Sequence, residues 1–149
     1  PIVVFVVSWA AAVTAGSLMG PKRILFHLAI AEDWEAARSS GEPYRRSTLG
    51  VSLEEQGFIH CSFPWQLQKV ADAVFTGRDE VVLLVIDVGR LTAEVTVETL
   101  EPGGERFPHV YGPLNLDAVI DSMPVPLGPD GRLDVHGLFR ARPGDFFQP

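Results

Sequence analysis

The sequence predicts a single α+β domain in which short strands are combined with a few short helices. The chain has 149 residues, enough for one core but too few for two independent enzymatic domains. Its composition, 46% hydrophobic and 21% charged, is typical of a globular protein. Several short apolar runs have strand-like patterns, and residues 67–75 carry a clear amphipathic helix pattern.

Residues 1–22 are predicted to lie outside the domain. Residues 1–19 carry no charge and resemble the hydrophobic part of a secretory signal, with small residues before a cleavage site near Ala15. No basic segment precedes this run, and it is short for a membrane span, which needs roughly 20 residues. Three interpretations stay open: a non-native extension with a start at Met19, a truncated signal or anchor, or a genuine extra element. The predicted domain comprises residues 23–127.

The first strand and helix follow from local patterns. Residues 24–29 read Ile-Leu-Phe-His-Leu-Ala, and alternation places His27 on the face opposite the apolar residues at 24, 26 and 28. The following residues begin with two acidic side chains and end at Gly41, which is typical of a short helix. Residues 42–56 have weak periodicity and predict a mobile loop with local positive charge.

A second strand and the clearest helix follow each other at residues 57–77. The strand is predicted at residues 58–61. Ser62 then stands where a helix N-cap is expected, with Pro64 in the first turn. From Leu67 the apolar residues recur at i, i+3, i+4, i+7 and i+8, which predicts a helix with one buried face.

Further strands complete the predicted sheet. Residues 81–86 are continuously apolar and predict a central strand covered on both faces. Residues 94–98 and 107–111 flank a Pro-Gly-Gly turn and predict a hairpin or a neighbouring pair, and residues 119–127 give the last strand. Residues 128–149 are rich in Gly and Pro, and their scattered apolar side chains predict a tail outside the core.

Composition argues against several function classes. The net charge of −7 argues against binding to a nucleic-acid backbone, and neither nucleic acid nor membrane is expected as a partner. The single cysteine, Cys61, excludes an intramolecular disulfide framework and fits a reducing, cytoplasmic compartment. Alternation places Cys61 opposite His60, so we expect it to pack in the core. No HxH or HExxH spacing is present, and no metal is expected.

Three of the four histidines, His27, His60 and His109, each lie on a separate short strand between apolar residues. They are interpreted as parts of one site, acting as acid–base groups, as ligand contacts or, less well supported, as a zinc triad. The alternative for each is a structural histidine with satisfied hydrogen bonds. Tyr111 lies two residues after His109 on the same face, and it is either a ligand contact or a buried tyrosine bonded to a carbonyl.

The chain entering the helix after His60 predicts an anion site, because a helix start offers free backbone N–H groups and a positive dipole end. Ser62 is interpreted mainly as the cap of this helix, with a nucleophilic role as the alternative. If Arg45 and Arg46 fold over this end, they would clamp a phosphate or carboxylate; otherwise they are solvated surface residues.

Four segments together resemble the bacterial family called domain of unknown function 952 (DUF952). They are Leu-Phe-His-Leu-Ala at 25–29, Gly-Phe-Ile-His-Cys-Ser at 57–62, Val-Leu-Leu-Val-Ile-Asp at 82–87 and Phe-Pro-His-Val-Tyr-Gly-Pro-Leu at 107–114. The resemblance covers residues 24–127. It implies a fold related to ADP-ribosyltransferases, with a split, mixed β core and flanking helices.

This resemblance implies that the domain binds NAD or a related phosphorylated nucleotide and transfers a ribosyl group. His27 would contact the ribose, His60 would line the same cleft, and His109 would position or protonate the substrate. Glu105, with Glu98 as a second candidate, would be the carboxylate that assists the acceptor. The expected ligand contacts are Tyr111, Ser62, Arg45 and Arg46.

Two alternatives stay open. The domain is a non-catalytic nucleotide- or metabolite-binding module that uses the same cleft, or it performs thiol chemistry of the glutathione-transferase type at Cys61. The sequence predicts no oligomeric state.

Overall fold

The structure, a computed structural model, describes residues 23–142. The interpretations of residues 1–22 and of residues 143–149 fall outside this part of the chain. The strands, in chain order, are β1 (Ile24–Ile30), β2 (Arg46–Thr48), β3 (Val51–Ser52), β4 (Ile59–His60), β5 (Val81–Asp87), β6 (Glu94–Glu98), β7 (Phe107–Tyr111) and β8 (Val119–Pro124). The α-helices are α1 (Ala31–Ser40), α2 (Leu53–Gln56), α3 (Leu67–Val74) and α4 (Val135–Ala141).

The strands form two three-stranded sheets and one small hairpin. The first sheet has the order β1-β5-β8, the second has the order β4-β7-β6, and β2 pairs with β3. The two sheets are joined where Phe26 and Ser62 exchange two backbone hydrogen bonds of 3.0 and 2.8 Å. The α+β class is confirmed. Every strand pair in residues 23–142 is antiparallel, in contrast to the mixed β core that the resemblance implied.

Strands β1 and β5 of the first sheet are buried on both faces. Phe26 and Leu28 pack on one face with residues of α3 and α4. Leu25 packs on the other face with Trp34 of α1 and with Tyr44. Alternate side chains of β5 point to opposite faces, and both faces are covered by other elements. β5 is therefore buried almost throughout, which confirms its prediction.

The first helix also agrees with its prediction. α1 ends at Gly41, which has φ 76° and whose N–H donates to the carbonyl of Ala37 at 3.0 Å. A left-handed residue at this position favours glycine, since other side chains are strained there.

Residues 42–56 do not form the mobile loop that weak periodicity predicted. They contain β2, β3 and α2. The N–H of Glu55 donates to the Ser52 hydroxyl and the N–H of Ser52 donates to Glu55 Oε1, each at 3.1 Å. This capping box satisfies two backbone groups at the start of a very short helix, and the Ser-Leu-Glu-Glu sequence carried its signal.

Ser62 is not the cap of the following helix. The helical segment begins with a 3-10 turn at Pro64–Gln66, one residue later than predicted, and Phe63 precedes it. The N–H of Phe63 donates to Gln66 Oε1 at 3.0 Å. Ser62 is buried and takes part in the bridge between the sheets, because its backbone pairs with β1.

Residues 128–142 are not a tail outside the core. Leu133, Val135 and Leu138 are buried in the core beside α3. The amide of Gln68 holds this segment: its Nε2 donates to the carbonyl of Leu133, and its Oε1 accepts from the N–H of Val135, both at 2.9 Å. The scattered apolar residues include the i, i+3 spacing of the short helix α4, which Gly and Pro nearby obscured.

No helix within residues 23–142 is long and apolar enough to cross a membrane.

Candidate functional site

A cavity of about 440 Å³ is lined by residues of both sheets, of α3 and of the connection between β6 and β7. The histidines predicted from the sequence, His27, His60 and His109, all line it. Its volume lies within the range of small-molecule sites, roughly 300–1,000 Å³. The fold therefore brings together three residues that are up to 82 positions apart in the sequence.

His27 is fully engaged with the protein. Its Nδ1 lies 2.6 Å from the carbonyl oxygen of His60, and its Nε2 lies 2.9 Å from the Tyr44 hydroxyl. Because a carbonyl can only accept, Nδ1 carries the proton, and Nε2 therefore accepts from Tyr44. Burial lowers the pKa of His27 from 6.5 to about 4. His27 is a neutral residue that joins β1 to β4, and neither ring nitrogen is free for a ligand.

His60 and His109 lie directly opposite each other on β4 and β7. Their ring centroids are 5.3 Å apart at an interplanar angle of 85°. Phe58 stacks on the His109 ring at 4.0 Å and also contacts the His60 ring edge-on at 4.9 Å. Burial, together with the nearby His109, lowers the pKa of His60. Neither ring nitrogen of His60 has a hydrogen-bond partner among residues 23–142.

A carboxylate orients His109. The His109 Nδ1–H donates to Glu98 Oε1 at 2.9 Å, and the Tyr111 hydroxyl donates to the same oxygen. The hydrogen bonds from Tyr111 and His109 lower the pKa of Glu98, and the bond to Glu98 raises the pKa of Tyr111. His109 is 2% exposed, and its Nε2 has no hydrogen-bond partner in the described part of the chain. This nitrogen is available to a molecule in the cavity.

Glu105 lines the cavity but is held by other residues. It is paired with Lys69 and accepts a 2.8 Å hydrogen bond from Gln66 Nε2. The contacts with Lys69 and Gln66 lower the pKa of Glu105. The carboxylate that touches a histidine is Glu98, which the sequence offered only as the second candidate. The predicted β6–β7 hairpin is the sequence feature that points to Glu98, because in the observed register Glu98 lies on the same face of the hairpin as His109.

Three backbone N–H groups at the predicted anion site are already used within the chain. The backbone N–H groups of Cys61, Ser62 and Phe63 donate to Pro108, Phe26 and Gln66 respectively. These donors are used within the chain, so they cannot cradle a phosphate.

The basic pair lies away from the cavity. Arg45 donates to Glu54 at 2.6 Å, and Arg46 Nε lies 3.9 Å from Asp33. Neither arginine lines the cavity. The proposed clamp over the helix start is therefore not formed, because both side chains pair with acidic residues closer to them.

Tyr111 and Cys61 lie near the histidines, but Tyr111 is exposed and Cys61 is buried. Tyr111 is 45% exposed and is not part of the cavity lining, although it reaches Glu98. Cys61 is buried in the core beside Leu25 and Ile59, and burial raises the pKa of its thiol. Cys61 and the buried Ser62 are nevertheless among the residues that line the cavity. Among residues 23–142 no group of three or more His, Cys, Asp or Glu side chains is arranged to hold a metal ion.

Tyr44 is a residue of the site region that the sequence does not predict. It is buried and donates to His27, and its backbone pairs with Leu114. No local pattern marks it, since its partners lie 17 and 70 positions away.

The fold and the site define an α+β domain with two antiparallel sheets, joined at one bridge, and a cavity that is lined by three histidines and three glutamates. The family model described as "Protein of unknown function (DUF952)" matches residues 28–122. The chain therefore belongs to the DUF952 family, as its motifs indicated.

Solved structures of one bacterial protein are similar to this chain. The crystal structure of CC0527 from Caulobacter crescentus is 28% identical, has a TM-score of 0.67, and the match covers 79% of this chain and 99% of that one. Its solution NMR structure is 28% identical with a TM-score of 0.59, covering 77% and 95% of the two chains. No curated protein matches the sequence.

Proposed function

We propose that the cavity binds a small organic molecule and that His109 exchanges a proton with it. One observation carries this proposal: His109 is 2% exposed, its Nδ1 is held by Glu98, and its Nε2 has no partner among residues 23–142. A buried, oriented imidazole with one unused nitrogen beside a cavity of about 440 Å³ is suited to acid–base chemistry or to binding a polar group.

The geometry supplies the parts that such chemistry needs. The bond from Nδ1–H to a carboxylate fixes the tautomer, so that Nε2 carries the lone pair and accepts a proton. The negative charge of Glu98 stabilises the imidazolium that forms. His60, beside it, is kept uncharged at neutral pH by its lowered pKa and offers a second polar contact.

Ribosyl transfer from NAD is the second candidate function, together with the proposed relation to ADP-ribosyltransferases. Its support is that Glu98 and Glu105 line the same cavity as the three histidines, and a carboxylate beside a ribose would stabilise an oxocarbenium-like transition state. Against it, the implied ribose contact of His27 lacks a free nitrogen. Thiol chemistry has less support, since Cys61 is buried with a raised thiol pKa.

A thermal-shift screen of nucleotides and metabolites, including NAD, tests these candidates on three proteins. They are the wild type, His109→Gln, and His136→Gln as a matched control on an exposed histidine outside the cavity. A ligand of the cavity should raise the melting temperature of the wild type and of His136→Gln, but much less that of His109→Gln. Equal shifts in all three proteins would refute a role for His109.

Mass spectrometry of each stabilising ligand after incubation separates an enzyme from a binding module. Consumption by the wild type but not by His109→Gln indicates catalysis, whereas saturable binding without consumption indicates the binding module. Release of nicotinamide from NAD together with an acceptor that gains the mass of ADP-ribose would support the ribosyl-transfer candidate, whereas release with free ADP-ribose would indicate hydrolysis.

A further inference from the structure

The charges around the cavity are mainly negative. Its lining contains the carboxyl groups of Glu98, Glu101 and Glu105 and the single ammonium group of Lys69, which pairs with Glu105. The pKa values of Glu98 and Glu105 are lowered by their hydrogen bonds, with Tyr111 and Lys69 respectively as the first partners, so both are ionised at neutral pH. Since opposite charges attract and like charges repel at short range, this lining disfavours an anion.

The arginines and backbone donors that the sequence offered for an anion are paired elsewhere within residues 23–142. Arg45 and Arg46 pair with Glu54 and Asp33 away from it. The backbone N–H groups of Cys61, Ser62 and Phe63 are used by the chain itself. His27 and His60 are uncharged at neutral pH because burial lowers their pKa values. A diphosphate in this cavity would meet three carboxylates and one paired lysine, and none of the described lining residues is an arginine, which usually holds phosphate.

The rest of the lining is largely apolar. Helix α3 contributes Val70, Ala73 and Val74, and Phe107 and Leu100 line the cavity from the β6–β7 hairpin and its connection. Val74 and Leu100 remain 38% and 61% exposed. Burying such side chains against an apolar group is favourable, because their surface leaves water.

We propose that the ligand is a small amphipathic molecule with an apolar body and a positively charged amine head, and not a phosphorylated nucleotide. The apolar body contacts the side chains of α3, and the amine head lies beside Glu98, next to the unpartnered Nε2 of His109. This assignment rests on the proposed function, since it names the class of molecule that the same cavity binds.

Matched compounds test the assignment. Each set shares one phenyl or cyclohexyl body and carries an amine, an alcohol, a carboxylate or a phosphate head, and binding to the full chain is measured by isothermal titration calorimetry and ligand-observed NMR. We expect the amine to bind at least about tenfold more tightly than the carboxylate or phosphate, a ratio that corresponds to about 1.4 kcal/mol. Added salt should weaken amine binding, because it screens the attraction.

Variants locate the effect. Glu98→Gln should remove most of the preference for the amine, and Glu101→Gln, which leaves the His109 contact intact, should reduce it. Glu42→Gln makes the same charge change at an exposed position outside the cavity and should leave the preference unchanged. Unfolding curves of each variant show that it is folded.

The outcomes are distinct. If a carboxylate or phosphate compound, or NAD, binds as tightly as the amine in the wild type and loses affinity in His109→Gln, the charge assignment is wrong while the proposed binding function stands. If the amine preference survives Glu98→Gln and Glu101→Gln together, the assignment is wrong as well. If no compound of any charge binds, the proposed function itself fails, and the assignment falls with it.

Discussion

His27 and His109 have the same side chain and similar burial, but they differ in their hydrogen bonds. Both nitrogens of His27 are bonded within the protein, to His60 and Tyr44. One nitrogen of His109 is bonded to Glu98, and the other has no partner among residues 23–142. Strand alternation could place both residues on inward faces, but it carried no information about partners from other strands. The structural role of His27 and the availability of His109 follow from these partners alone.

The two tyrosines test the difference between a buried and an exposed hydrogen bond. Tyr44→Phe leaves Nε2 of the buried His27 without its donor, so we expect the free energy of unfolding to fall by about 1–3 kcal/mol. Tyr111→Phe is the matched control, since this tyrosine is 45% exposed, and we expect a change of about 0.5 kcal/mol or less. Urea unfolding of both variants measures this, and a cost of about 0.5 kcal/mol or less for Tyr44→Phe would show that the His27–Tyr44 bond adds little stability.

Cys61 should be unreactive in the folded protein. Only the thiolate is alkylated readily, and burial both raises the pKa of this thiol and blocks access to it. We expect no iodoacetamide adduct by intact-mass measurement of the native chain under conditions that label the urea-unfolded chain completely. Comparable labelling of the two states would restore the candidate of thiol chemistry.

At the scale of elements, the sequence predicted a helix or strand correctly where the side-chain pattern of the segment was strongly periodic. The helix pattern from Leu67 and the apolar run of β5 identified their elements, because one periodic face is enough to define each of them. The β6–β7 hairpin was also expected, and its register confirms it. Segments with weak periodicity, such as residues 42–56, predict loops, but this segment contains paired strands and a capped helix.

The closing helix α4 provides a test at this scale. Leu138 is 8% exposed and packs in the core with α3, so we expect Leu138→Ala to lower the free energy of unfolding by about 2–4 kcal/mol. Leu127→Ala is the control: it removes the same atoms from a side chain that is 49% exposed, and we expect a cost below about 1 kcal/mol. Chemical unfolding of both variants decides this. Similar small losses would mean that residues 128–142 behave as the tail that their composition predicted.

At the scale of the whole molecule, the site exists because two sheets meet. Phe26 and Ser62 connect their backbones, and His27 of the first sheet bonds to the carbonyl of His60 in the second. The cavity is then closed by α3 and by the connection between β6 and β7. Its residues come from segments throughout the domain, so its formation depends on the complete fold.

Stability against pH is a property of the whole molecule that His27 influences. The pKa of His27 is about 4 in the folded chain and 6.5 in its ordinary state, because burial disfavours the charged ring. Between these values the unfolded chain binds more protons, so the free energy of unfolding falls as the pH falls and is unaffected above about 7.5. From pH 7.5 to pH 5 we expect His27 to account for a loss of about 2 kcal/mol.

Urea unfolding between pH 7.5 and pH 5 measures this dependence. His60, whose pKa is also lowered, contributes in the same direction, whereas carboxyl groups with lowered pKa values act mainly below their ordinary 4.5. His27→Gln should flatten the curve, and His136→Gln, at an exposed position, should not. The same slope in the wild type and in His27→Gln would contradict a neutral, buried His27.

The sequence by itself determined the α+β class, the strong helix and central strand, the family, and the three histidines that line one cavity. These features depend on side-chain periodicity or on contiguous motifs, which a linear chain displays directly. Tertiary structure decided that His27 is structural and that Glu98 and not Glu105 orients His109. It also decided that Arg45 and Arg46 pair with acidic residues away from the cavity and that the N–H groups of residues 61–63 are used within the chain. Each of these outcomes depends on which donor meets which acceptor across long sequence separations, and only the packing of the two sheets fixes those distances.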